Sequence, residues 1–220
     1  MTTHPQPGLL LSNIRLCLGG RQILSIDRCI APGSVLTVMG KSGSGKSSLL
    51  NLVAGFLGRD FQAEGKVWLD GRDITSLPPQ HRHIGLMFQT PLLFPHLSVL
   101  GNLLFALPPA IKGRRSRTRH AEKALNDVGL EGFGNRDPAT LSGGQQTRVA
   151  LMRLLLAEPR ALLLDEPFSA LDQALRADIR QLVFKKARER ALPVLLVTHD
   201  RQDAEAAGGD LVTLDGNSKT

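Results

Sequence analysis

Tyrosine is absent from this 220-residue chain, tryptophan occurs once, and aromatic residues make up only 4% of it. A surface that holds nucleic acid by stacking needs aromatics interleaved with its cations. The main basic run, Lys112, Arg114, Arg115, Arg117, Arg119 and Lys123, has none, so nucleic acid is not an expected partner. That run supplies much of the net charge of +7. It reads as a solvated helical face, with anionic lipid headgroups or acidic loops of a membrane partner as the alternative contact. The two cysteines, Cys17 and Cys29, fit no metal or redox spacing and are expected as small buried residues in a reducing compartment. No apolar run approaches the ~18–20 residues that cross a bilayer. Residues 1–8 lack the basic-then-apolar pattern of a secretory signal. Low-complexity tracts and internal repeats are also missing, so the chain is expected to fold and work where it is made.

What is present suits a packed domain, with 42% hydrophobic and 21% charged residues. Short apolar runs at 35–39, 66–70, 84–88, 161–164, 193–197 and 211–214 read as strands. Residues 47–56 carry a helical apolar face, and Leu175, Ile179, Leu182 and Val183 recur on a helix of about 17 residues. Alternating strands and helices predict a mostly parallel sheet of four to six strands. From about residue 90 to 158 the pattern is helical, broken by Pro91, Pro95, Pro108, Pro109 and Pro138. Because strands resume at Ala161, this block is expected as an insertion into one domain.

Residues 40–47 read Gly-Lys-Ser-Gly-Ser-Gly-Lys-Ser, matching G-x-x-x-x-G-K-[ST] between a buried strand and an amphipathic helix. In such a loop the glycines let successive N–H groups turn in around a phosphate chain, and the helix adds its positive end. Lys46 can reach the β- and γ-phosphates and the Ser47 hydroxyl can ligate Mg²⁺. The run Ala-Leu-Leu-Leu-Asp-Glu-Pro at 161–167 sets Asp165 at the end of a buried strand, where it can hold Mg²⁺. Glu166 follows, where a base can polarise an attacking water. Residues 141–145, Leu-Ser-Gly-Gly-Gln, open a helix and make a second anion-binding end. Two such ends serve one nucleotide only if the chain pairs with a copy of itself or with a relative.

Together with Gln89, Ser169-Ala170-Leu171-Asp172 and His199, these motifs resemble the ATP-binding cassette (ABC) ATPases in order and spacing from about residue 9 to 214. The resemblance implies an α/β fold of the P-loop NTPase type. It has a mostly parallel RecA-like core, an N-terminal antiparallel β-subdomain and the inserted helical subdomain, in one domain over 1–220 without a C-terminal regulatory domain. It implies ATP and Mg²⁺ as cofactors. Gly40, Ser42, Gly43, Ser44, Gly45, Lys46, Ser47 and Ser48 would hold the phosphates, with Ser47, Gln89 and Asp165 at the metal. Lys46, Gln89, the base Glu166 and His199 would serve catalysis. Ser142, Gly143, Gly144 and Gln145 would reach the nucleotide of the opposite subunit, and Asp172 would link the two sites.

After Gln89, residues 90–99 resemble the segment of bacterial importer ATPases that receives a short helix from a permease, with Phe94 and Leu97 as candidates for the dock. Residues 98–113 and 137–144 look most like the YnjD type within the family, and ATPases for thiamine, polyamine, iron and sulfate uptake look similar. The implied partners are a second ATPase subunit, expected as a homodimer, permease chains and a periplasmic solute-binding protein. The implied place is the cytoplasmic face of a bacterial inner membrane. An exporter or lipoprotein-release ATPase, or a soluble nucleotide-gated clamp, remains an alternative. The sequence departs from the family in one respect. Members carry an aromatic residue upstream of the phosphate loop that stacks on adenine, yet residues 1–39 contain no Phe, Trp or Tyr, and Leu18 takes the position. Weakened ATP binding and poor discrimination against GTP are expected.

Overall fold

The computed structural model describes residues 7–41 and 43–214. Its strands are β1 (Leu9–Leu18), β2 (Arg21–Ile30), β3 (Val35–Gly40), β4 (Phe61–Leu69), β5 (Arg72–Asp73), β6 (Ile84–Met87), β7 (Ala161–Asp165), β8 (Val194–Val197) and β9 (Asp210–Leu214). Its helices are α1 (Lys46–Ala54), α2 (Val99–Ala106), α3 (Arg114–Asn126), α4 (Gly143–Leu156), α5 (Gln173–Glu189) and α6 (Arg201–Ala207). Among the described residues no helix is long and apolar enough to cross a membrane. The chain divides into two compact units. The first comprises residues up to Leu86, Arg160–Glu166 and residues from Phe184 onward; the second comprises Met87–Pro159 and Pro167–Val183.

In the first unit a five-stranded sheet runs β6-β7-β8-β3-β9, with β3 parallel to both β8 and β9 and β7 parallel to β8. Strands β7 and β8 are buried along their whole length, which is why they read as unbroken apolar runs. A second sheet, β2-β1-β4-β5, is antiparallel at each of its ladders. Strand β1 changes phase at its middle. Leu9 and Leu11 point into the core, and after a register shift at Asn13, whose φ is +49°, Ile14 and Leu16 point in. A strict period of two would have turned Arg15 inward, so the bulge keeps one face apolar.

Neither cysteine is buried as expected. Cys17 is half-buried and Cys29 exposed, because both fall beside the inward positions of their strands, next to Leu16 and Ile30. Strand β4 begins at Phe61 rather than near Lys66. Its first residues have no apolar alternation and are held by pairing with β1, from Leu18 opposite Phe61 onward.

Helix α1 packs Leu49, Leu50 and Val53, each at most 1% exposed, into the cluster that holds Leu36, Val38, Leu163, Leu195 and Val197. The far end of α1 is fixed by Arg82, only 6% exposed. Its guanidinium donates to the carbonyls of Leu52 and Val53 at 2.9 Å and to those of Thr75 and Leu77 at 2.7 Å. The cation thus sits at the negative end of α1 and stitches it to the chain after β5. Gly55, just past the helix at φ +88°, leaves the room, since a Cβ there would stand 2.7 Å from Arg82 Nε.

In the second unit α2, α3 and α4 pack through Val99 and Leu103, Ala121, Ala124 and Leu125, and Val149, Leu151 and Leu155. Asn102, fully buried, shapes residues 94–98. Its Oδ1 accepts from the Phe94 N–H at 2.8 Å, and its Nδ2 donates to the Phe94, Leu97 and Ser98 carbonyls. Arg153 donates to Asn102 Oδ1 at 3.2 Å and to the Leu92 carbonyl, and lies 4.9 Å from the Phe94 ring centre.

Arg82→Ala strips four carbonyls of their donor, and the expected cost is about 3 kcal/mol in urea unfolding. Arg82→Lys should recover less than half of that, because one ammonium cannot reproduce the fork.

Candidate functional site

Register between parallel strands sets the site of the first unit. Val197 of β8 stands opposite Val38 of β3 on one side and Asp165 of β7 on the other. The residues that follow these three points, from Gly40, Glu166 and Thr198 onward, therefore leave the sheet at one edge. This is the carboxyl edge where open α/β sheets bind ligands.

From β3 the chain enters the glycine loop. Gly45 caps α1 at φ +87°, and Ile23 of β2 lies 3.3 Å from where a Cβ on it would stand. No side chain caps α1, so the N–H groups of its first turn have no side-chain partner. The Lys46 ammonium donates to the carbonyls of Gly40 and Lys41, each at 2.8 Å, which keeps the charge over the loop. Ser44 is buried with no partner for its hydroxyl, and Ser48 is half-buried. Gly43 takes φ +80°, and Ser42 lies outside the described residues.

Asp165, 8% exposed, accepts a hydrogen bond from Ser47. Burial pushes its carboxyl above the usual carboxylate range, the Ser47 bond and Lys46 pull the other way, and Glu166 adds to the rise. One carboxylate and one hydroxyl form an all-oxygen pair. Mg²⁺ is held in this manner, by one or two protein groups with the remainder from phosphate and water. The described residues show no cluster of three or more His, Cys, Asp or Glu that would form a closed metal site.

Glu166 takes φ +47°, a backbone conformation that costs a non-glycine residue about 1–3 kcal/mol and that gathers at functional sites. Its N–H donates to the Val197 carbonyl at 2.9 Å, and its Oε1 lies 2.7 Å from His199 Nδ1. The glutamate side chain is 11% exposed and the imidazole 72%. The hydrogen bond to Glu166, then its charge, raises His199 above the ordinary 6.5. Thr198, fully buried, donates to Asp203 at 3.0 Å and accepts from the Asp200 N–H at 3.1 Å, which fixes the turn that carries His199. Nothing in the sequence signalled Thr198 or Ile23, since a lone threonine or isoleucine at a strand end has no motif.

A cleft of about 1000 Å³ runs along β3, α6 and β9 and meets this site at Gly40, Lys41 and His199. It is lined by the start of the glycine loop, Gly40 and Lys41, and by none of residues 43–48.

The second unit carries the other predicted residues. Gln89 is exposed, two positions past β6. Ser142 caps α4 in a capping box. Its hydroxyl accepts from the Gln145 N–H at 3.3 Å and its own N–H donates to Gln145 Oε1 at 2.9 Å. Gly144 lies close to the next segment, since a Cβ on it would stand 3.1 Å from the Ala170 carbonyl. Asp172 is exposed and opens α5, accepting from the Leu175 N–H at 3.0 Å. Leu18, at the end of β1 in the first unit, is 43% exposed.

The family model described as ABC transporter matches residues 23–169. The uncharacterized ABC transporter ATP-binding protein YnjD of Escherichia coli K12 is 48% identical over 199 residues, 90% of this chain and 91% of that one. The thiamine import ATP-binding protein ThiQ of Jannaschia sp. CCS1 is 44% identical over 207 residues, covering 94% and 89%. Among solved structures, the dimeric post-hydrolysis state of the ATP-binding cassette MJ0796 bound to ADP and Pi superposes with a TM-score of 0.80 at 32% identity, over 94% of each chain. Sequence and fold agree over nearly the full length, and the chain belongs to the ABC transporter family, as one of its ATP-binding cassette ATPases.

Proposed function

We propose that this chain is the ATP-hydrolysing subunit of a bacterial importer, driving solute uptake through permease partners at the cytoplasmic face of the membrane. The observation that carries the hydrolytic part is the Glu166–His199 contact at 2.7 Å, one strand from the Ser47–Asp165 bond. Similarity to import ATP-binding proteins such as ThiQ supports the direction of transport.

In this reading Lys46 and the N–H groups of the glycine loop, residues 40–48, bind the phosphate chain. Ser47, Asp165 and Gln89 would hold Mg²⁺, which supplies charge neutralisation at the β- and γ-phosphates. Glu166, held nearly buried on its strained turn, accepts a proton from the attacking water. His199 orients Glu166 and meets the γ-phosphate. Ser142, Gly143, Gly144 and Gln145 serve the nucleotide held by a second copy, with Asp172 at the seam. The dimeric cassette bound to ADP and Pi is a precedent for that pairing. Both compact units act together as one ATPase domain. The permease helix docks against Phe94 and Leu97, both half-buried. Phe94 packs edge-on to Phe105 at 4.9 Å, and Asn102 holds the segment in shape.

Isolation of the tagged chain from its native membranes should recover one or two multi-spanning chains and a periplasmic binding protein. Phe94→Asp should lose them while purified turnover stays within about twofold of wild type. Recovery of a membrane chain without a binding protein would turn the assignment to export, and recovery of this chain alone would overturn transport.

Glu166→Gln should lower turnover by at least about a hundredfold while leaving ATP-dependent dimerisation intact. Full activity would move the base elsewhere. The same variant should bring the His199 titration, followed by NMR, back down toward 6.5. Since the folded His199 titrates above its unfolded value, the pair's stabilisation is full below 6.5 and is lost as pH rises through the raised value. The variant should flatten that slope.

Leu18→Tyr should tighten ATP binding several-fold and widen the preference for ATP over GTP, read by calorimetry, because an aromatic face stacks on a base where leucine supplies only contact area. Unchanged affinity would remove Leu18 from the base site.

A further inference from the structure

Helix α3 keeps its positive charge against its own electrostatics. Arg114 and Arg115 occupy its first turn, where the helix dipole disfavours cations and where no acidic residue stands. Arg115, Arg119 and Lys123 follow one another at i,i+4, so like charges stack along one face, and like pairs at this spacing destabilise a helix. Glu122 is the one carboxylate on the helix. Lys112, Arg114, Arg115, Arg119 and Lys123 are all exposed, and none of their side chains has an ion pair or hydrogen bond among the described residues.

The helix cannot turn these cations away. Its opposite side is buried through Ala121, Ala124 and Leu125. Arg117, which the sequence placed on the same solvated face, is instead half-buried and pins the start of α3 to the end of α2. It donates to the carbonyls of Leu104 at 2.7 Å, Pro108 at 3.0 Å, Ile111 at 3.1 Å and Leu107 at 3.2 Å. Those carbonyls bracket Phe105, which is 69% exposed. A shallow hollow of about 530 Å³ is lined by Arg114, Arg115, Thr118, Arg119 and Glu122, with three guanidinium groups to one carboxylate. Guanidinium matches phosphate oxygens in a bidentate fork and sheds its water more readily than ammonium.

We propose that this cationic face of α3 binds the phosphate headgroups of anionic lipid, so that the second unit rests on the membrane surface beside its permease. The proposal builds on the permease dock assigned above, which is carried by the same unit. Phe105 touches Phe94 and lies within the segment whose carbonyls Arg117 holds. A row of exposed, unpaired cations along one helix face is what draws a surface to anionic headgroups. A nucleic-acid strand fits less well, as α3 has no aromatic residue on which bases could stack.

The test is co-sedimentation of the full chain, without permease, on vesicles of phosphatidylcholine alone or mixed with phosphatidylglycerol. Binding is expected on the mixed vesicles only, and should weaken as salt rises from about 50 to about 300 mM. Arg115→Gln, Arg119→Gln and Lys123→Gln should each weaken it about fivefold and together on the order of a hundredfold, with turnover unchanged and the thermal midpoint held or slightly raised as the like-charge repulsion is relieved. Absent binding to anionic vesicles, equal binding by the triple variant, or tighter binding to a single-stranded oligonucleotide would each overturn the proposal. The permease reading stands or falls on the membrane isolation, so loss of one leaves the other standing.

Discussion

Val197 has one neighbour in Val38 and another in Asp165, and the arrangement of candidate site residues in the first unit depends on that register. Three buried strands end at one level, so the glycine loop, the Asp165–Glu166 pair and His199 leave the sheet together. Main-chain bonds carry the alignment past the strand ends. The Thr198 N–H reaches the Val38 carbonyl at 3.3 Å, and the Glu166 N–H reaches the Val197 carbonyl at 2.9 Å. A slip of one residue in β8 would turn its alternate side chains to the other face and move His199 away from Glu166. The alignment has little freedom to drift, because α1, packed on these strands through Leu49, Leu50 and Val53, is held at its far end by Arg82.

The parts of this arrangement that were legible in the sequence are those in which one physical demand dominates. Strands β7 and β8 are buried on both faces and read as apolar runs, and α5 spans the 17 residues its periodicity implied. The glycine loop and the Leu141 segment are legible because positions such as Gly45, at φ +87°, and Gly144, close to the Ala170 carbonyl, admit few residue types. The bulge at Asn13 was hidden because it changes the phase of β1 partway, and neither half alone is long enough to reveal the shift. The early residues of β4 are strand only because β1 pairs with them. Cys29 misled because the residue type suggests burial, whereas its strand position decides the outcome. Arg82 and Asn102, each satisfied by several main-chain groups, leave no trace in the sequence. Their partners come from segments up to thirty positions away for Arg82 and up to fifty-one for Asn102.

These two residues show a common device. A single polar side chain, buried and fully bonded, fixes irregular backbone that apolar packing could not hold. Arg82 does this for the end of the phosphate-loop helix, and Asn102 does it for residues 94–98. In the second case the result is a loop that presents half-exposed aromatic surface without collapsing onto it. Phe94 is held by its own main chain through Asn102 and flanked by Arg153 and Phe105. Surface made in this way is preformed, so a helix packing on it as proposed would require less ordering.

The start of α4 illustrates how one motif can meet a structural and a chemical demand together. The capping box uses the Ser142 and Gln145 N–H groups, leaving those of Gly143 and Gly144 as the unsatisfied donors of the first turn. Ser142 Oγ accepts one bond and keeps its own proton to donate. The helix end is thus stabilised by groups within it, while two glycine amides and one hydroxyl proton are left over for the anion that the proposed pairing would bring. Glycine is needed here for closeness as well as for exposure, because the Ala170 carbonyl crowds the place a Gly144 side chain would take. Replacing Ser142 by alanine would remove the cap and the hydroxyl donor at once. Loss of activity in such a variant therefore cannot separate folding from chemistry. Threonine keeps both the acceptor and the proton, so its difference from alanine measures the cap and the donor together.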